Sequence, residues 1–286
     1  MLRLRDRLSG DELLLMAIVN RTPDSFYDRG ATFAFDQAIQ RVDQVVAEGA
    51  DIIDIGGVKA APGAEVDAAE EIDRTAPLVA AVRDRYPDLI ISVDTWRHEV
   101  AREACSAGAD LLNDAWGGVD PGVAEVAAEF GAGLVCTHAG GLPPRTRPHR
   151  VEYDDVVADV ITRTASLAER AVRAGVDPGC VLIDPGHDFG KNTWHSLEVT
   201  RRLQEVVATG WPVLVSLSNK DFVGESLGGL PVDQRLHGTL AATAVCAWQG
   251  ARVFRAHNIT STRRLLDMIA VIRGLRSPAR TVRGLA

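Results

Sequence analysis

The sequence predicts a single (βα)₈ barrel, and three observations predict it. Short aliphatic runs alternate with amphipathic stretches of helical period along the whole chain; there are eight such units; and 286 residues is a length that one closed parallel barrel routinely fills. A doubly wound open sheet is the competing architecture, and it requires some of the runs not to be strands.

Taken in order, the runs are 13–19, 51–55, 89–93, 109–112, 133–137, 180–183, 212–217 and 252–256. They are rich in Val, Ile and Leu, as strands buried on both faces must be. Each leads to a stretch whose apolar residues recur at helical spacing: 35–48, 68–86, 99–107, 123–130, 154–174, 196–207, 236–249 and 262–273. Helix 236–249 is nearly all apolar and small, with Cys246 and Trp248, which suits either a core helix or a subunit interface. Gly and Pro fall at unit boundaries and no linker divides the chain, so residues 1–276 read as one domain and 277–286 as a flexible tail. The connection 140–153 carries Pro143, Pro144, Pro148 and a basic cluster, Arg145, Arg147 and Arg150, expected to be solvated; His138 and His149 flank it as surface or hinge residues.

Composition narrows the class. With 46% hydrophobic and 24% charged residues the chain has ample material for a core, and a net charge of −8 excludes a general nucleic-acid binder. Residues 1–10 alternate Leu with Arg and Asp and form no signal-peptide core, and no apolar run reaches the length of a membrane span, so a cytoplasmic location is expected. Cys105, Cys136, Cys180 and Cys246 are widely scattered and are expected to be buried free thiols.

In a barrel the chemistry collects at the carboxyl ends of the strands. There the runs end in Asn20, Asp54, Asp94-Thr95, Asn113-Asp114, Asp184-Pro185-Gly186, Ser218-Asn219-Lys220 and Arg255-Ala256-His257. One Asp or Asn at a strand end commonly caps a helix or holds a turn. Seven such ends at one mouth point to a site. Asp54, Asp94, Asn113 and Asp184 offer the carboxylates and amides that suit a flat heterocycle rich in N–H groups, and Lys220, Arg255 and His257 add the positive charge that suits an anionic group on it.

These residues resemble a known family. Asn20-Arg21-Thr22-Pro23-Asp24-Ser25-Phe26 is similar to the N-x-T-P-D-S-F signature of dihydropteroate synthases. The resemblance continues through 51–57, 91–95, Asn113-Asp114, Asp184-Pro185-Gly186 with Phe189-Gly190-Lys191, and Arg255-x-His257. It implies a (βα)₈ barrel that joins para-aminobenzoate to a dihydropterin methyl diphosphate, with Mg²⁺ on the diphosphate and pyrophosphate as leaving group. By motif, Asp94, Asn113, Asp184 and Lys220 resemble the pterin-binding set. Asn20, Arg255 and His257 resemble the diphosphate set, with Asn20 at the metal and Lys220, Arg255 and His257 as the catalytic groups. Pro62, Phe189 and Ser218 fall on the para-aminobenzoate side: Phe189 resembles an aromatic wall between the substrates, and Ser218 a group that helps receive the aminobenzoate carboxylate at a helix N-terminus. A homodimer formed through the last helices is also implied.

The departures from the family cluster around the diphosphate and its acceptor. Where the family usually has Glu-Ser-Thr-Arg-Pro-Gly after Gly57, this chain has Val58-Lys59-Ala60-Ala61-Pro62-Gly63, losing a hydroxyl and a guanidinium from the second loop. In the first loop Tyr27 replaces a usual Ser and Arg29 a usual Gly. His187-Asp188 replaces an apolar-Gly pair, bringing a negative charge near an anionic substrate, and Asn219 replaces an Arg. Each lost hydrogen bond to a charged group costs roughly 1.5–3 kcal/mol, and about 1.4 kcal/mol is tenfold in affinity. The expectation is therefore a dihydropteroate synthase-like paralogue with a retained pterin pocket and little or no synthase activity. An active synthase of folate biosynthesis is the alternative; another pterin- or folate-binding barrel, such as a methyltransferase, is a second.

Overall fold

A computed structural model describes residues 2–22, 34–146 and 151–283. The eight runs become eight strands: β1 Leu14–Asn20, β2 Ile52–Gly56, β3 Ile90–Asp94, β4 Leu111–Asp114, β5 Gly133–Thr137, β6 Val181–Asp184, β7 Leu214–Ser216 and β8 Val253–Ala256. They pair in parallel in the order β6-β5-β4-β3-β2-β1-β8-β7. A parallel bridge between Ile183 and Val213 joins the two outermost strands and closes the barrel. The helices are α1 Leu2–Ser9, α2 Phe35–Ala47, α3 Ala68–Arg85, α4 His98–Ser106, α5 Gly122–Phe130, α6 Val156–Ala174, α7 Thr193–Arg201, α8 Leu203–Val207, α9 Asp221–Ser226, α10 Leu236–Gln249 and α11 Ile259–Ile272. Asp67, Asp155 and Asn258 cap α3, α6 and α11 through their side chains.

Strand periodicity sorts the side chains into an outer and an inner set. Leu15, Ala17, Val19, Ile53, Ile55, Ile91, Val93 and their counterparts face the helices and form the main core. The inward positions change character halfway along each strand. In the amino-terminal half they are apolar: Leu14, Met16, Ile52, Ile90, Leu111, Val135, Leu182, Leu214 and Val253 form a second, central core. In the carboxyl-terminal half the inward positions turn polar, with Asn20, Asp54, Ser92, Asp94, Asn113, Asp184, Ser216 and Arg255, and Ile18 of β1 stays apolar among them. A solid floor thus lies under a polar mouth.

Helix α1 plugs the bottom of the barrel and was not expected. Leu4 and Leu8, one turn apart, are buried in the central core, and that i, i+4 pair within an otherwise charged segment is the signal for it. Gly133 makes room for the plug, since a Cβ there would lie 2.5 Å from Leu4 Cδ2 and 2.6 Å from the Cys180 carbonyl oxygen. Asp51 ties the plug down: its carboxylate meets Arg7 of α1 at 2.6 Å, Arg263 of α11 at 3.1 Å and the Leu15 amide at 2.8 Å.

Three other expectations are adjusted. The stretch 196–207 is two helices, α7 and α8, broken at Arg202, whose guanidinium binds Asp155, Glu198 and Glu205; α7 starts early because Asn192 and His195 form a capping box. Strand β7 is shorter than the run 212–217, because Pro212 has no N–H to give a ladder. His138 is no surface residue: it is 1% exposed, on the segment leaving β5. All four cysteines are buried and free, as expected. Among the described residues no helix is long and apolar enough to cross a membrane. Tyr27, Arg29, Arg147, His149 and Arg150 lie outside the described residues.

Candidate active-site pocket

A cavity of about 380 Å³ opens at the carboxyl ends of the strands. Larger grooves of about 650 and 590 Å³ lie elsewhere on the chain, along Asp51 and Ile90 and along Pro178 and Pro212, and no predicted site residue lines them. Of the predicted residues, Asn20, Asp94, Phe189, Ser218, Lys220, Arg255 and His257 line the mouth cavity together. Asn113 and Asp184 are buried behind its wall, and Pro62 is exposed and does not line it.

The wall is organised by Asp54, which is fully buried. Its carboxylate accepts from Arg255 Nε at 2.6 Å, Ser92 Oγ at 2.6 Å and Asn113 Nδ2 at 3.2 Å. Arg255 bridges onward to Asp94 at 3.0 Å. One guanidinium thus serves two carboxylates from strands β2 and β3, an arrangement that suits its fork geometry. Burial works against the charge on Arg255, but Asp54 and Asp94 outweigh it and raise its pKa. Burial pushes Asp94 above the usual carboxylate range despite Arg255, with Asp54 adding to the push. Burial also raises Asp184, against the pull of Lys220; one Asp184 oxygen accepts the Gly186 amide at 2.7 Å.

Lys220 donates to the His187 carbonyl and stands over the Phe189 ring, 4.8 Å from its centroid. Burial lowers its pKa, while Asp188 and Asp184 oppose the shift. Phe189 is held edge-on by Trp116 at 5.1 Å, which is backed in turn by Trp96 at 6.3 Å. Ser218 pairs with His257: its Oγ accepts the His257 amide at 3.2 Å and lies 2.9 Å from Nδ1. The hydroxyl can then donate to Nδ1, leaving the ring proton on Nε2.

Sequence reasoning missed a second buried polar chain behind the wall. Lys191 lines the cavity and reaches His138 Nδ1 at 2.6 Å; His138 Nε2 lies 2.7 Å from Asp159 at the outer surface. Lys191 also donates to the carbonyls of Gly186 and Phe189, both at 3.1 Å, so it shapes the segment 186–190. Burial holds Lys191 down to about 7 and His138 down to about 4, with Lys191 reinforcing the latter. The motif Phe189-Gly190-Lys191 marked the lysine. Nothing local marked its partner, because His138 comes from a different strand.

Two of the substituted positions turn out to be structural as well. Asp188 lines the cavity, yet its carboxylate accepts from the amides of Asp221 at 2.7 Å and Phe222 at 3.3 Å and from Ser196 Oγ at 3.1 Å. Its charge is therefore spent on α9 and α7 rather than left bare. Asn219 is buried in the left-handed region with φ 58°, a conformation Asn tolerates, and its amide donates to Thr239 Oγ1. The second loop does line the cavity, through Val58, Lys59, Ala60 and Ala61. Arg145, expected to be solvated, binds the carbonyls of Ala61 at 3.2 Å and Ala64 at 2.7 Å and so pins that loop from outside.

The family model for pterin binding enzymes matches residues 16–257, nearly the whole barrel. The chain belongs to the pterin-binding enzyme family. Within that family it is similar both to dihydropteroate synthases and to proteins named inactive dihydropteroate synthase 2. It is 61% identical over 283 residues to a Mycobacterium leprae protein named inactive dihydropteroate synthase 2, covering 98% of this chain and 97% of the relative. It is 36% identical over 261 residues to the dihydropteroate synthase of Streptococcus pyogenes, covering 90% and 94%. Among solved structures, the Xanthomonas albilineans dihydropteroate synthase with 4-aminobenzoic acid superposes with a TM-score of 0.82 at 35% identity, covering 94% of each chain. This pterin-binding barrel thus shares a strand scaffold with such enzymes and departs from the expected motifs in its loops.

Proposed function

We propose that the protein binds a pterin in the mouth cavity and that its dihydropteroate synthase activity is weak or absent. One observation carries the reading: the polar wall built on Asp54, Asp94, Asn113 and Arg255 is intact and interlocked, whereas the loop facing it presents Val58, Ala60 and Ala61, with Lys59 as its one charged group on the cavity. The name of the 61% identical relative agrees with it.

In this reading Asp94 and Lys220 meet the pterin from the cavity wall, and Asp184 and Asn113, buried directly behind that wall, complete the pterin set, with Asp184 as the acceptor for N–H groups of the pterin edge. Asn20, Arg255 and His257 face the diphosphate. Lys220, Arg255 and His257 are the groups that would answer the charge growing on departing pyrophosphate. Arg255 enters that task already committed to two carboxylates, and Ala60 and Ala61 add no donors, so stabilisation of the leaving group is poor. Asn20 fits Mg²⁺ as a single neutral oxygen ligand, which is what an ion carried on a diphosphate needs; it would neutralise phosphate charge when bound. Among the described residues the one cluster of three metal-ligand types, His98, Glu99 and Asp120, does not line this cavity. On the acceptor side Phe189 and Ser218 are the wall and the polar contact for para-aminobenzoate, and Pro62, exposed on the second loop, flanks that side.

Self-association is part of the proposal. Val245 and Trp248 of α10 and Met268 and Ile272 of α11 are exposed, and α10 packs on α11, so the two helices share an apolar outer face that suits a homodimer.

An active synthase is the second reading, favoured by Lys59 on the cavity wall. The two are separated by measuring pyrophosphate release from dihydropterin methyl diphosphate with and without para-aminobenzoate, beside calorimetric titration with a pterin. Pterin binding with negligible release supports the first reading; robust aminobenzoate-dependent release refutes it.

A further inference from the structure

We infer that Asp188 is a built-in carboxylate that occupies the acceptor half of the cavity, so that the site rejects aryl carboxylates and takes a neutral or cationic arylamine instead. The inference rests on the proposed pterin site and concerns only the half beside it. Asp188 has φ 65°, the left-handed region that favours glycine, and the family usually has glycine there. A carboxylate in that conformation is held by what it binds: the Asp221 amide, the Phe222 amide and the Ser196 hydroxyl, while its own amide approaches Ser196 Oγ at 3.1 Å. Asp221, Phe222 and Ser218 all line the cavity. Two backbone donors that open onto the acceptor half are therefore filled from within the chain.

The surrounding charges point the same way. Asp221 and Glu225 also line this half, Asp221 paired with Arg235 at 2.8 Å and Glu225 bonded to Thr193, so a ligand carboxylate meets acceptor oxygens there instead of open donors. Nearby positive charge is engaged: Lys220 is on the His187 carbonyl and the Phe189 face, and Lys191 is on His138 and two carbonyls. An arylamine without a carboxylate avoids the repulsion and keeps the edge contact with Phe189. Ammonium or amide substituents find an acceptor in the Glu225 carboxylate on the cavity wall.

The test is isothermal calorimetry on the full chain, in three arms. The first titrates a pterin, and reads the proposed pocket alone: no pterin binding refutes that pocket and leaves the acceptor question to the other arms. The second compares p-aminobenzoate with p-aminobenzamide on the wild type, which needs no variant to fold; the benzamide is expected to bind at least about tenfold tighter, the worth of one charge-assisted hydrogen bond. The third repeats the comparison on Asp188→Gly, which frees both amides, and on Asp188→Asn, which keeps an acceptor for them. Asp188→Gly is expected to tighten p-aminobenzoate at least about tenfold, and Asp188→Asn to keep the wild-type order. Equal binding of the two arylamines by the wild type overturns the inference, as does an Asp188→Gly variant with the wild-type ratio. If neither arylamine binds the wild type, gain of p-aminobenzoate binding in Asp188→Gly supports the inference, and no gain overturns it.

Discussion

Replacing Asp54 by Ala removes the centre of the polar wall and strands three donors at once. Arg255 retains Asp94 at 3.0 Å, so the charge is not left wholly uncompensated, and the lower part of the range of about 3–5 kcal/mol for breaking a buried pair applies. Ser92 Oγ and Asn113 Nδ2 lose the acceptor they now reach at 2.6 and 3.2 Å, adding about 1 kcal/mol each. The expected loss is about 5–6 kcal/mol for Asp54→Ala and about half that for Asp54→Asn, whose amide oxygen still serves one donor. Urea unfolding followed by circular dichroism reads both. The same variants should weaken pterin binding, because Arg255 and Asp94 lose the anchor that aims them. A loss below about 1 kcal/mol for Asp54→Ala would show that water or a relaxed wall replaces Asp54, and the interlocked wall would be refuted.

Other outcomes follow from the same structure. Leu8→Ala should destabilise the fold by about 2–4 kcal/mol through a cavity under the barrel floor, seen as a lower melting temperature in scanning calorimetry with pterin affinity unchanged; altered affinity would mean that the floor is not a rigid support. His138 is neutral in the fold down to about pH 4, whereas unfolded histidine takes its proton near about pH 6.5. Between those values the unfolded chain binds more protons, so the contribution of His138 is lost as pH falls through that window. His138→Gln should therefore flatten the fall of unfolding free energy with acid relative to the wild type, and identical pH slopes would refute the buried Lys191–His138–Asp159 chain. Restoring the loop with Ala60→Thr and Ala61→Arg should raise affinity for a pterin diphosphate about tenfold or more; no change would place the deficit elsewhere.

The sequence by itself determined the strands and their polar ends. Aliphatic runs buried on both faces, amphipathic stretches of helical period and turn residues at unit boundaries are local signals, and eight such units leave little besides a closed barrel. It also named Asn20, Asp94, Phe189, Ser218, Lys220, Arg255 and His257, because consecutive strands of a parallel barrel deliver their carboxyl ends to one mouth. Only the tertiary structure decided how those groups spend their hydrogen bonds. Arg255 could be read as an open anion receptor until Asp54 and Asp94 were seen on it. Asp188 could be read as a bare repulsive charge until the amides of Asp221 and Phe222 were found against it, 33 and 34 residues away along the chain. His138 looked like a surface histidine beside a basic loop and is instead sealed between Lys191 and Asp159. The physical reason is common to all three. Residue type and strand register set where a side chain points, but a buried charge is satisfied by partners from other strands, and the choice of partner depends on distances that exist only once the barrel has closed.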